Sequence, residues 1–265
     1  MQKKLSVLNL ISVLLVIAVN YSAQVFRFNN TTIGELSKQY ANLFTPAGYA
    51  FSIWGLIFIS LLTYSLFQIR RAFFSSKKSG FILATSYWFF SANLLNVAWV
   101  LAFTYDYTGI SVLIMFALLF SLLKIVLATN MERWDAPIEI IAFVWWPICL
   151  YSGWIAVASI ANTSAYLVKI DWGALGLSEI TWTIIMIIVA VLVNLFMLVT
   201  RNMREFALVG VWALIAIYVK QNTSHPSIGI VALIGIVLLI LAVALHGIKN
   251  HKTNPVKKLI ERYQN

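Results

Sequence analysis

Apolar residues along this chain come in long runs, not in alternation. Eight stretches, about 5–23, 47–69, 81–104, 110–130, 140–167, 181–200, 206–220 and 228–247, are almost free of charge. Most approach the ~20 residues that an α-helix needs to cross the hydrocarbon core of a bilayer. Backbone groups in lipid must bond within their own segment, so such runs are helices and not open strands. The seventh run is short and reads as little tilted or partly interfacial. The pattern predicts an all-α polytopic membrane protein with eight transmembrane helices.

Three runs carry a face that lipid does not explain. In the fifth, Pro147, Tyr151, Trp154, Ala158 and Asn162 follow one another at steps of 4, 3, 4 and 4. Such steps place all five on one side of a helix. In the third, Trp88, Ala92, Asn96, Trp99 and Phe103 are spaced 4, 4, 3 and 4. In the second, Pro46 precedes Ala47, Phe51, Trp54 and Phe58, spaced 4, 3 and 4. Indoles, a small residue and a carboxamide suit a ligand or a neighbouring helix better than acyl chains. Each Asn could instead serve only to bond helix to helix, at roughly 0.6–2 kcal/mol. Taken together, Phe51, Trp54, Phe58, Ala92, Asn96, Trp99, Tyr151, Trp154, Ala158 and Asn162 are the candidate ligand-binding residues. Aromatic rings and carboxamides favour a flat or apolar molecule over a sugar or an ion.

Composition narrows the class further. Of 265 residues, 61% are hydrophobic and 11% are charged, which excludes a soluble chain. The net charge of +10 is distributed as membrane orientation requires, not as a nucleic-acid surface. With the N-terminus inside, Lys3, Lys4, Arg70, Arg71, Lys77, Lys78, Lys124, Arg133, Arg201, Arg204, Lys249, Lys252, Lys257, Lys258 and Arg262 fall on the inner side. Only Arg27, Lys38, Lys169 and Lys220 fall outside, so both termini are expected in the cytoplasm. The N-terminal run lacks a good cleavage site after Ala23 and reads as an uncleaved span. All nine acidic residues lie in loops, at span edges or in the tail. A proton- or sodium-coupled transporter usually keeps a carboxylate in mid-membrane, so this absence weighs against one. Cys149 stands alone, and His225, His246 and His251 have no partner at metal-ligand spacing. No nucleophile–base motif or phosphate loop appears, so neither an enzyme nor a resident cofactor or metal is expected.

These motifs resemble the translocator protein/tryptophan-rich sensory protein (TspO/MBR) family. Tyr151-x-x-Trp154 followed by Ala158 and Asn162 is similar to the pattern of that family's fifth helix. Asn96-x-x-Trp99 is similar to its third, and Pro46-x7-Trp54-x3-Phe58 to the start of its second, with Phe for Tyr. Three departures stand out. The first loop, residues 24–46, has no Trp where the family is Trp-rich, Leu150 replaces a Pro, and Ala92 replaces a Gln. The resemblance implies a five-helix core over residues 1–169. Beyond it lie three further helices over 170–248, as in the longer bacterial form, and a basic cytoplasmic tail over 249–265. It also implies a pocket for a tetrapyrrole such as porphyrin or haem, a sterol or an isoprenoid. The implied role is sensory or transport-regulating, in a homodimer in the bacterial inner membrane. Its partners would be the ligand and membrane lipids, with no nucleic acid. The alternative is a transporter of a small hydrophobic metabolite.

Overall fold

In a computed structural model describing residues 1–77 and 79–250, the chain is a bundle of helices. Lys78 and the basic tail beyond Asn250, with His251 and Glu261, lie outside the described residues. The helices are α1 (Gln2–Val25), α2 (Ile33–Gln39), α3 (Ile53–Phe73), α4 (Gly80–Thr85), α5 (Trp88–Thr104), α6 (Thr108–Ala128), α7 (Ile138–Ile140), α8 (Trp146–Lys169), α9 (Glu179–Arg201), α10 (Arg204–Gln221) and α11 (Pro226–Lys249). No strand occurs among the described residues. Among the described residues, six segments are long and apolar enough to cross a membrane: Gln2–Val25, Gly48–Phe73, Thr108–Ala128, Ile138–Lys169, Glu179–Arg201 and Pro226–Lys249. Trp88–Thr104 is a shorter apolar helix. Helix α10 coincides with the seventh run, and Arg204, Glu205 and Lys220 at its ends reduce its apolar length.

Two local breaks have readable causes. The third run is not one continuous rod, since Ser86 takes φ 50° and separates α4 from α5. Thr85 and Ser86 supply side chains that compete with helical backbone bonds, and the Thr85 hydroxyl bonds Tyr64 of α3 at 2.9 Å. The fifth run enters through α7 and a π turn, Ile141–Trp145. Pro147 has no N–H to donate and crowds the carbonyl one turn back, and a widened turn relieves both effects.

Helix α8 is the axis of the bundle. Its membrane-length window is 78% buried, against 33–44% for the other five qualifying segments. It packs on α3, α6 and α10. Helix α1 lies against α3 and α5 through polar side-chain pairs that the aromatic pattern did not reveal. Asn9 Nδ2 donates to Gln68 Oε1 at 2.8 Å, Asn93 Nδ2 to Ser12 Oγ at 2.9 Å, and Asn20 Nδ2 to Asn96 Oδ1 at 2.9 Å. In an apolar phase such bonds set which helices meet and in what register. Asn9→Leu should therefore strand the Gln68 amide and cost about 1 kcal/mol. Adding Gln68→Leu should restore most of the loss in a double-mutant cycle of detergent-phase thermal unfolding.

Candidate functional site

The hollow is built at the end of the bundle where α1 gives way to α2. Thr32 caps α2 by accepting from the Glu35 backbone N–H at 3.2 Å, and Glu35 accepts in return from the Thr32 N–H at 3.0 Å. This reciprocal cap holds the Glu35 carboxyl below its ordinary range, assisted by Arg27, whose guanidinium pairs with it at 2.9 Å. Ile33 and Leu36 turn inward from α2 and are buried. Beyond α2, the Tyr40 hydroxyl donates to Asp106 Oδ2 at 3.0 Å, and Lys169 reaches the same oxygen at 2.8 Å. Burial first and the Asp106 carboxylate second push the Tyr40 phenol above its ordinary value. The segment after α1 is thereby tied to the α5–α6 turn and to the end of α8.

The next stretch is suspended from α10. The Ala47 N–H donates to the Ala216 carbonyl at 3.1 Å, Trp212 Nε1 to the Ala50 carbonyl at 3.1 Å, and Gln221 Nε2 to the Leu43 carbonyl at 2.8 Å. Tyr49 meets the Trp212 ring edge-on at 5.4 Å. These contacts fix the short 3-10 turn, Gly48–Ser52, that leads into α3 and presents Phe51.

Two adjoining spaces result. An outer vestibule of about 790 Å³ is walled by Asn20, Tyr21 and Gln24 of α1, by residues 32–35, 37 and 38, by Pro46, Phe51, Trp54 and Phe58, and by Lys220 of α10. Behind it, sharing Phe51 and Trp54, an inner chamber of about 50 Å³ is lined also by Trp99, Phe103, Trp154, Ala158 and Asn162. The vestibule falls within the usual size range of small-molecule pockets, whereas the chamber holds little more than a water molecule. Trp54 is the hinge between them. It stacks on Phe58 at 5.2 Å and meets Tyr151 and Trp154 edge-on at 6.1 and 6.4 Å.

Of the ten residues singled out from spacing, Phe51, Trp54, Trp99, Trp154, Ala158 and Asn162 line the chamber, and Phe58 lines the vestibule. Ala92, Asn96 and Tyr151 are buried in the packing behind them and line neither space. Asn162 also pairs across to α6, its Nδ2 donating to Ser111 Oγ at 3.0 Å. Asn96 accepts from Asn20, while its own Nδ2 and the neighbouring Tyr151 hydroxyl have no partner of good geometry. Trp99 Nε1, on the chamber wall, is buried without an acceptor. Phe103, on the face of the third run but not among the ten, lines the chamber as well, whereas the spacing argument missed the α1 wall, the α2 wall and Lys220. For α1 a signal existed, since Asn9, Ser12 and Asn20 recur at helical steps. For Lys220 none existed, because its place depends on how α10 docks.

Long apolar helices packed around a buried polar and aromatic interior define an integral membrane protein. A family model described as TSPO-like protein matches residues 6–245, nearly the whole chain. The chain belongs to that family. Searches of curated proteins and of solved structures return no match.

Proposed function

We propose that this protein binds a planar, largely apolar molecule in the vestibule and relays its presence as a sensor or regulator of transport. The observation that carries the reading is the aromatic floor of Phe51, Trp54 and Phe58 beneath a space of about 790 Å³. A tetrapyrrole, sterol or isoprenoid would stack on that floor. Lys38 and Lys220 on the rim favour a ligand with an anionic edge. The unpaired Trp99 N–H offers a donor to an acceptor group reaching inward. The narrowing to about 50 Å³ at Trp99 and Trp154 favours holding a ligand over conducting one. No catalytic role is assigned to the site.

The same reading has the chain cross the membrane eight times, with α4 and α5 together as the third crossing and α10 as the seventh. Both termini would face the cytoplasm in a bacterial inner membrane, on the strength of the Lys and Arg distribution. Helices α1 to α8 would be the core common to shorter relatives, with α9–α11 added, and a homodimer is the expected assembly.

Titrating protoporphyrin into the purified protein should quench tryptophan emission saturably. Trp54→Phe should remove a large share of the saturable amplitude, and Lys220→Glu should weaken binding several-fold. Identical titrations for wild type and both variants would overturn the assignment of the vestibule.

A further inference from the structure

Glu132, Cys149 and Glu205 come from distant parts of the chain and meet at the opposite end of α10 from the vestibule. Glu132 lies in the turn between α6 and α7, Cys149 in the first turn of α8 and Glu205 in the first turn of α10. One oxygen from each carboxylate and the Cys149 Sγ all lie within 4.8 Å of one another. The thiol is 0% exposed. Glu132 Oε1 and Glu205 Oε2 are shut off from solvent with no hydrogen-bond partner. Among the described residues, no salt bridge reaches either glutamate. Two half-buried carboxylates, each with one solvent-shielded and unbonded oxygen, close around a buried thiol, an arrangement that is costly unless something neutralises it.

We propose that Glu132, Cys149 and Glu205 hold a divalent transition-metal ion of the zinc class. The donor set argues for that class. Magnesium and calcium take oxygen ligands throughout, and cuprous ion prefers several sulfurs. One thiolate with two carboxylates suits zinc, with a water completing four-coordination. Zinc ligands stand about 3.3–3.8 Å apart, so a small inward rotation of the two glutamate side chains completes the site. On binding, the Cys149 thiol releases its proton to solvent as the sulfur–metal bond forms, and both carboxylates bind ionised. Arg204, which acts electrostatically on Glu132, leaves the ion, its three anionic ligands and this guanidinium neutral together. The metal would clamp the α6–α7 turn, α8 and α10 at the end remote from the vestibule. This site is independent of the ligand reading above.

The test uses the full-length purified protein after treatment with a chelator. Titrated Co²⁺ should bind at one equivalent with a near-ultraviolet thiolate-to-cobalt charge-transfer band, and Zn²⁺ should displace it. Cys149→Ser should abolish the band. Glu132→Gln and Glu205→Gln should each weaken Zn²⁺ binding at least tenfold, measured by competition with a chromophoric chelator. Wild-type protein that shows no such band overturns the proposal, and this measurement needs no variant to fold. A band that survives Cys149→Ser, or Zn²⁺ affinity unchanged in both glutamine variants, overturns it equally.

Discussion

Trp154→Ala should destabilise the protein by about 3–5 kcal/mol, the range for truncating a large buried aromatic. The indole is 3% exposed and contacts Phe51 and Trp54 edge-on at 6.1 and 6.4 Å. Removing it takes away the ring against which both others rest and enlarges the inner chamber, whose wall it forms. For a chain of this size the loss corresponds to a fall on the order of 10 °C in Tm. Trp154→Phe, which keeps a ring in place, should recover at least half of it. A melting curve for Trp154→Ala within about 2 °C of wild type would mean that the rings do not depend on one another as their geometry requires.

Gly153→Leu should be the most damaging substitution on the other side of α8. A Cβ at this position would stand 3.1 Å from the Phe206 carbonyl oxygen and 3.1 Å from Val209 Cβ. The first of these is backbone and cannot swing aside, so α8 and α10 must part. Overpacking of this kind costs about 1–3 kcal/mol and occasionally more. The effect should also travel. Displacing α10 moves Trp212, Ala216 and Gln221, which hold the stretch from Leu43 to Ala50. Porphyrin affinity should fall at least tenfold although residue 153 lines neither space. Gly55→Leu is the control, because a Cβ there meets nothing within 4 Å. Equal affinity for the two variants would disconnect α10 from the vestibule.

That dependence bears on how the chain divides. The resemblance to a five-helix family suggests a core ending near residue 169 with three helices appended. Yet Phe206, Val209, Ala213 and Ala216 belong to the same buried cluster as Trp99, Tyr151 and Trp154. Lys220 stands in the vestibule wall. Helix α10 thus helps to shape the hollow it was read as lying beyond.

Sequence spacing revealed the aromatic faces because indoles and carboxamides are conspicuous in apolar runs. It placed seven of ten chosen residues on the walls of two adjoining spaces. It did not separate wall from backing. Asn96, Tyr151 and Ala92 share helical faces with residues that do line the hollow, and depth along a face is set by the neighbouring helix. The anchors from α10 left no trace either, since their partners are the carbonyls or amides of Leu43, Ala47 and Ala50. A backbone acceptor looks the same in any sequence.

By itself, then, the sequence determined an all-helical chain made for a bilayer, where its long apolar runs lie, and which of them carry unusual faces. Those are local properties, since hydrophobic length and periodicity are written in consecutive residues. Only the tertiary structure decided that the third run breaks at Ser86, that α10 supports the vestibule, and that the space opens between α1, α2 and α3 instead of deep among the tryptophans. Those outcomes depend on contacts between segments far apart in the chain, and close packing selects among them only when all the helices are in place.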